Sequence, residues 1–177
     1  LSLLVDVARD ARLAEGPEGV RRILRSVFRS GSIPLRDLAR STRLPVPVVA
    51  AVRGELESRK VLKRDRGLAL TESGLALCRD FLGFSSAERF PDPHSSDPRL
   101  EGLVDRLEQI GGERPAVDVQ LDQSHATPWT ALKRAVYLFE SDALEGRDVL
   151  VLGDDDLTSV AICLLAEHLR FELKSLL

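Results

Sequence analysis

The run VLVLGDDDLTSVAIC, residues 149–163, decides what kind of domain the second half of this chain forms. Its first four residues, 149–152, are all apolar and predict a short strand buried on both faces. Gly153 permits a tight turn, and apolar residues recur at helical spacing from Leu157 onward. This strand–turn–helix order is typical of an open α/β sheet, in which ligands bind beyond the carboxyl ends of the strands.

Three aspartates occupy the turn, at the point where nucleotide-binding proteins carry glycines that cradle a phosphate. Asp154, Asp155 and Asp156 would repel a phosphate and attract a cation or an amine. The alternative is an acid-rich surface turn in which one carboxylate, best placed in Asp156, caps the following helix. Three consecutive carboxylates at the end of a buried strand favour a binding site.

Length, charge and cysteine use restrict the class of protein. The 177 residues suffice for one medium domain or two small ones. A formal net charge of −3 argues against a surface built mainly for nucleic acid, and no apolar run reaches the length of a membrane span. Cys78, Cys163 and the histidines lack metal-ligand spacing, so that no metal is expected. We therefore expect a cytoplasmic protein with two reduced, buried thiols.

Residues 1–83 follow the order helix, short strand, helix, turn, helix, hairpin, helix, which is typical of a winged helix-turn-helix domain. The hairpin is predicted over 61–64 and 68–70. If the domain binds DNA, the helix over 46–59 enters the major groove and basic residues contact phosphates, namely Arg53, Arg59, Lys60, Lys63, Arg64 and Arg66. Because that helix also carries Glu55 and Glu57, a solvated basic surface is favoured over a DNA footprint.

Residues 84–98 are rich in Ser, Pro and Asp and predict a linker to a second domain, 99–177. His94 within it is expected to be exposed. Past a first amphipathic helix, residues 116–123 alternate partly like a strand, and Thr127 with Pro128 is suited to begin the next helix.

The tail over residues 170–177 does not favour a second strand. The predicted fold class is therefore an α+β winged helix-turn-helix domain followed by the incomplete start of an α/β Rossmann-like domain.

The second domain contains four short runs in order: Leu121-Asp122-Gln123, Thr127-Pro128, LEGRD at 144–148 and VLGDDDLTS at 151–159. Together these runs resemble the branched-chain polyamine synthases, also called N4-bis(aminopropyl)spermidine synthases. The resemblance covers residues 118–166 well and the N-terminal domain only in architecture. It implies the N-terminal, truncated portion of an aminopropyltransferase of polyamine biosynthesis. Such enzymes join a winged-helix-like domain to a Rossmann-type, methyltransferase-like domain and transfer aminopropyl groups from decarboxylated S-adenosylmethionine to spermidine.

The resemblance also implies roles for individual residues. An acidic pocket binds two cations, the donor and the polyamine, and Asp155 and Asp154 are the catalytic residues. Asp155 accepts the proton of the attacking amine. The residues implied to bind substrate or donor are Asp122, Gln123, Asp156, Thr127 and, at the donor, Gly153. Decarboxylated S-adenosylmethionine is a co-substrate, no cofactor is held permanently, spermidine is the polyamine and a homodimer is the expected assembly.

Two departures from the family pattern limit these implications. Trp129 stands where the family has a glutamate after Thr-Pro. The family's acidic residue after a second strand and its later Asp-Pro-Pro loop have no counterpart, so we expect this chain alone to be inactive. Two alternatives remain: a winged-helix DNA-binding regulator that senses a cationic metabolite, and a methyltransferase-like enzyme that acts on another amine.

Overall fold

The computed structural model describes residues 2–112 and 126–177, and the chain divides into two compact units, Leu1–Ala87 and Glu88–Leu177. The division falls within the segment 84–98, for which composition predicts a linker. Phe84 is buried in the core of the first unit and Phe90 in that of the second. Aromatic side chains therefore anchor part of this Pro-rich segment on each unit.

The first unit places helices around a small antiparallel sheet, whose order among the described residues is β1–β3–β2. In chain order its elements are α1 Ser2–Asp10, α2 Gly16–Ser30, β1 Ser32–Ile33, α3 Leu35–Thr42, α4 Val46–Ser58, β2 Leu62–Arg64, β3 Leu68–Leu70 and α5 Glu72–Ala76, followed by a π-helical turn, Leu77–Phe81. The predicted hairpin is confirmed, since β2 and β3 are antiparallel with Lys63 opposite Ala69.

Helix α2 supplies the centre of the first core. Val20, Ile23, Leu24 and Val27 recur at helical spacing and are each fully buried. Helices α1 and α3 both pack against α2, and α4 packs against α3 and α1. The apolar faces that predict these helices in the sequence are therefore also the faces through which the helices pack.

Gly74, in α5, is a position where one added methyl group is expected to destabilise the first unit. A Cβ built there would lie 2.2 Å from the carbonyl oxygen of Val61, which also accepts a hydrogen bond from the Thr71 amide at 3.0 Å. This backbone cannot move aside without breaking that contact. We expect Gly74→Ala to lower the free energy of unfolding by about 1–3 kcal/mol, measured by chemical denaturation.

Gly54→Ala is the matched control, because a Cβ at this position in α4 would meet no atom within 4 Å. Alanine is the better helix former, so stability should stay unchanged or rise by up to about 1 kcal/mol. Equal losses in the two variants would contradict the steric explanation.

The two cysteines differ in accessibility, which corrects the prediction that both are buried. Cys78 is buried, and this burial raises the pKa of its thiol to about 12, against an opposing effect of Arg21. Cys163 is exposed on α8 (Thr158–Leu169). It follows two buried residues of that helix, Ala161 and Ile162, so that the helical period turns its side chain toward solvent.

We expect Cys163 to react with a thiol reagent in the folded protein. Cys78 should react only after denaturation, because the thiolate is the reactive form and burial keeps this thiol protonated. Cys163→Ser should abolish the fast reaction, and a fast reaction that survived it would disprove the assignment.

The raised pKa of Cys78 also makes stability depend on pH. Between pH 9 and about 12 the folded protein keeps a proton on Cys78 that the unfolded chain releases. The free energy of unfolding should therefore fall as pH rises through this range.

The second unit contains a 3₁₀ turn, Pro98–Leu100, followed by α6 Glu101–Gly111, α7 Pro128–Glu140, β4 Asp148–Val149, α8 Thr158–Leu169 and β5 Ser175–Leu176. Helices α6, α7 and α8 pack against one another around a shared core that includes Leu107, Leu132, Phe139 and Leu165. None of the helices in the described parts of the chain is both long enough and apolar enough to traverse a bilayer.

The prediction that residues 149–152 form a strand buried on both faces is wrong. Only Asp148–Val149 forms a strand, and Leu150 and Leu152 are 66% and 83% exposed. Val149 and Val151 pack against the helical core. The residues therefore alternate between core and solvent, because the core lies against one side of the run only.

The tail after α8 forms a second strand, contrary to expectation. β5 lies parallel to β4 with Asp148 opposite Ser175, and the Val151 amide donates to the Leu177 carbonyl at 2.8 Å. The Lys174 ammonium lies 2.6 Å from the Asp148 carboxylate, to which the Ser175 hydroxyl donates at 2.7 Å. These contacts hold the pKa of Asp148 below its usual value. Lys174 and Ser175 make the tail unlike a buried strand in the sequence, and both contact Asp148 of the neighbouring strand β4.

Candidate functional site

The loop between β4 and α8 contains a turn, residues 153–157, that begins and ends with a left-handed backbone conformation. We call these residues the acidic turn. Gly153 has a φ of +70° and Leu157 a φ of +57°. The Asp154 carbonyl accepts a hydrogen bond from the Leu157 amide at 3.1 Å, closing a turn with Asp155 and Asp156 at its centre. Glycine adopts this backbone freely, but for leucine it costs on the order of 1 kcal/mol or more. Other contacts of the turn must therefore hold Leu157 in place.

Asp154 makes one of those contacts. Its carboxylate accepts hydrogen bonds from the Ser159 amide, at 3.0 Å, and from the Ser159 hydroxyl. Ser159 is the second residue of α8, whose first amides have no partner within the helix. The prediction that Asp156 caps this helix is therefore wrong. Asp154 accepts the hydrogen bond from the helix amide, and Asp156 has other partners.

Asp156 connects the turn to α7. Its carboxylate accepts a hydrogen bond from the Ala126 amide at 2.8 Å and forms an ion pair with the Arg134 guanidinium. The Asp156 side chain is 26% exposed and that of Arg134 48% exposed. One carboxylate thus fastens the turn both to the residue that precedes α7 and to the middle of that helix. Sequence reasoning missed Arg134, because no local pattern marks it.

Asp155 has a different environment from its two neighbours. It lies at the corner of the turn and is exposed to solvent, whereas Asp154 and Asp156 are partly buried. The structure therefore brings the three aspartates together in one turn but gives them unequal access. A dissolved amine can reach the Asp155 carboxylate most easily.

Thr127 and Pro128 begin α7 as the sequence predicts. The Thr127 hydroxyl accepts a hydrogen bond from the Thr130 amide at 3.2 Å and lies 2.9 Å from the Thr130 hydroxyl. Its proposed contact with substrate stays a prediction. The substrate contact predicted for Asp156 likewise stays a prediction. Asp122 and Gln123, the remaining two predicted substrate-binding residues, lie outside the described residues, as do the strand predicted over 116–123 and His125.

A cavity of about 530 Å³ lies along the face of α7 opposite its core contacts. It is lined by His94, Thr130, Lys133, Arg134, Tyr137, Leu138 and Thr158. His94 is exposed, as predicted, and its ring lies 5.6 Å from that of Tyr137. Since Arg134 also binds Asp156, and Thr158 is the first residue of α8, the cavity adjoins the acidic turn.

Residues 2–112 and 126–177 hold no group of three His, Cys, Asp or Glu side chains arranged for a metal ion. The acidic turn is consistent with this finding, because Asp154 and Asp156 point to different partners. What the turn offers is hydrogen-bond acceptors and negative charge, which suit an ammonium group.

Three of the four arginines considered for DNA contacts, Arg53, Arg59 and Arg64, are paired with acids of their own unit. Arg59 lies 2.5 Å from Asp10 and also binds Glu55, while Arg64 lies 3.1 Å from Glu57. Arginines held by carboxylates are poorly available for phosphate contacts. These pairs favour the solvated surface over the DNA footprint.

Residues 102–170 match a family model described as the branched-chain polyamine synthase A C-terminal domain. An uncharacterized protein of Methanocaldococcus jannaschii is 38% identical over 169 residues, which cover 92% of this chain and 43% of that protein. The N(4)-bis(aminopropyl)spermidine synthase of Thermus thermophilus is 32% identical over 177 residues, which cover 91% of this chain and 47% of that protein.

Among solved structures, a mutein of the Thermus thermophilus branched-chain polyamine synthase, in complex with N4-aminopropylspermidine and 5′-methylthioadenosine, is similar with 29% identity. The alignment covers 92% of this chain and 47% of that one, with a TM-score of 0.37. The chain spans less than half the length of the curated relatives it matches. The family match is to a C-terminal domain, so it lends no support to the prediction of an N-terminal portion.

Proposed function

Since this chain belongs to the branched-chain polyamine synthase family through residues 102–170, we propose that the protein containing it transfers aminopropyl groups from decarboxylated S-adenosylmethionine to spermidine. The observation that carries the proposal is the acidic turn, in which Asp154 and Asp156 are held by the chain and Asp155 is exposed between them. Donor and acceptor are both cations, and a carboxylate turn attracts both.

The proposed chemistry requires a base. The secondary amine of spermidine carries a proton at neutral pH, and it must lose that proton before its lone pair can attack. Asp155 accepts this proton. A new bond then forms between the amine nitrogen and the donor's aminopropyl carbon, while the bond from that carbon to sulfur breaks. The sulfonium leaves as neutral 5′-methylthioadenosine.

Asp154 and Gly153 contribute to the same site in this proposal. Asp154, fixed at the start of α8, binds an ammonium group through the side of its carboxylate that faces solvent. Gly153 has open space where a side chain would lie, since a Cβ there would meet no atom within 4 Å. The donor occupies this space, and Asp122, Gln123 and Thr127 complete the polyamine site.

The proposal includes the predicted fold class and assembly. A winged helix-turn-helix domain is supported by the β1–β3–β2 sheet, which packs against α2 and α4, and a Rossmann-like domain by the parallel β4–α8–β5 unit. A homodimer is the assembly we propose for the whole protein.

The test is an assay of the full-length protein with decarboxylated S-adenosylmethionine and spermidine, followed by mass spectrometry. We expect one 5′-methylthioadenosine to form for each aminopropyl group added to spermidine, and both products to appear only when both substrates are present. Intact S-adenosylmethionine should give no product. Methyl transfer from the intact donor, without aminopropyl transfer, would support the methyltransferase alternative instead.

A further inference from the structure

We propose that Arg134 is a positioning residue that holds the acidic turn against α7 and thereby orients Asp155. The structural part of this inference stands on contacts within the second unit. Its consequence for turnover rests on the proposed function.

The contacts of Asp156 join two segments that are distant in sequence. Its Oδ1 accepts from the Ala126 amide at 2.8 Å, and its Oδ2 pairs with the Arg134 guanidinium. Charge-assisted hydrogen bonds of this kind are stronger than neutral ones. Helices α7 and α8 are themselves fixed by the core they share, which includes Leu132 and Leu165. Arg134 therefore attaches the turn to a rigid support.

The turn is held on its other side by α8, through Asp154 and Ser159. Asp155 lies one residue from each of Asp154 and Asp156, so the backbone that carries it is fixed by the contacts of both. The left-handed Leu157 adds a tendency for the turn to relax once one attachment is lost. Removing the guanidinium should thus loosen the α7 side of the turn, which keeps the hydrogen bond from the Ala126 amide, and leave the α8 side in place.

Arg134 also sets the charge that a polyamine meets. Its guanidinium neutralises Asp156 and brings the charge of the three aspartates from −3 to −2. Arg134→Gln would restore the lost negative charge while it releases the turn. Attraction for spermidine should then stay the same or increase, although Asp155 is less well oriented. A fall in kcat without a rise in KM distinguishes this role from a loss of binding.

The first experiment measures amide hydrogen exchange in the full-length protein and needs no enzymatic activity. We expect Arg134→Gln to speed exchange at Ala126 and over 153–158, and Arg134→Lys to restore most of the protection. Lys133→Gln is the matched control, because it removes the same charge from the adjacent residue, whose ammonium lies over the Trp129 ring at 5.9 Å. Unchanged exchange in Arg134→Gln would overturn the proposal.

The second experiment measures steady-state kinetics with spermidine. We expect Arg134→Gln to lower kcat by about 10- to 10²-fold without raising KM. Asp156→Asn should give a similar loss, and the double variant no greater loss than either single one, because both remove the same contact. Additive losses would overturn the proposal. If the unsubstituted protein transfers no aminopropyl group, the proposed function fails, while the exchange experiment still decides the positioning role.

Discussion

Asp155→Asn in the full-length protein is expected to lower kcat for aminopropyl transfer by about 10²- to 10⁴-fold, the usual contribution of a general base. Asparagine keeps the size of the side chain but cannot take the proton of the attacking amine. Asp155 is the member of the turn most exposed to a dissolved substrate. Its loss should therefore affect the proton transfer more than the fold. The measurement is the rate of 5′-methylthioadenosine formation at saturating spermidine.

Asp105→Asn provides the control for charge. Asp105 lies exposed on α6, in the same unit, and its substitution removes the same negative charge outside the acidic turn. We expect wild-type kcat in this variant. Wild-type turnover in Asp155→Asn as well would remove Asp155 from the chemistry and leave the acidic turn as a binding element only.

Phe139→Ala is expected to destabilise the second unit by about 3–5 kcal/mol, the range for truncating a buried phenylalanine. Phe139 is fully buried in α7. Its ring stacks on Phe171 at 5.1 Å and meets Phe90 edge-on at 6.2 Å. Three segments therefore converge on one side chain: the chain before α6, helix α7 and the tail after α8. Alanine would leave a cavity at this junction.

Chemical denaturation followed by Trp129 fluorescence measures this effect. Trp129 is the single tryptophan of the sequence and lies in α7, so its signal reports on the second unit. Tyr137→Ala is the control, because it truncates an aromatic side chain of the same helix that is 50% exposed. We expect that variant to lose less than about 1 kcal/mol. Similar losses in both variants would show that Phe139 is not a centre of the core.

Local patterns in the sequence were sufficient for the helices, the β2–β3 hairpin and the start of α7 at Thr127 and Pro128. Each depends on residues within a few positions of one another: apolar spacing decides which face of a helix is buried, and a threonine hydroxyl reaches an amide three residues away. The acidic turn and its family resemblance are local in the same sense. Sequence alone therefore identified the aspartates to which the proposed chemistry is assigned.

Tertiary structure decided how those residues are used. Asp156 meets Arg134 and Ala126 across 22 and 30 positions of sequence, and β5 becomes a strand only because β4 and Asp148 lie beside it. The exposure of Leu150 and Leu152 likewise follows from a core that lies on one side of the run. The spacing of apolar residues shows which positions could be buried. Whether a residue is buried or forms an ion pair depends on which distant segment of the chain packs against that residue. The different environments of Asp154, Asp155 and Asp156 arise from those distant contacts.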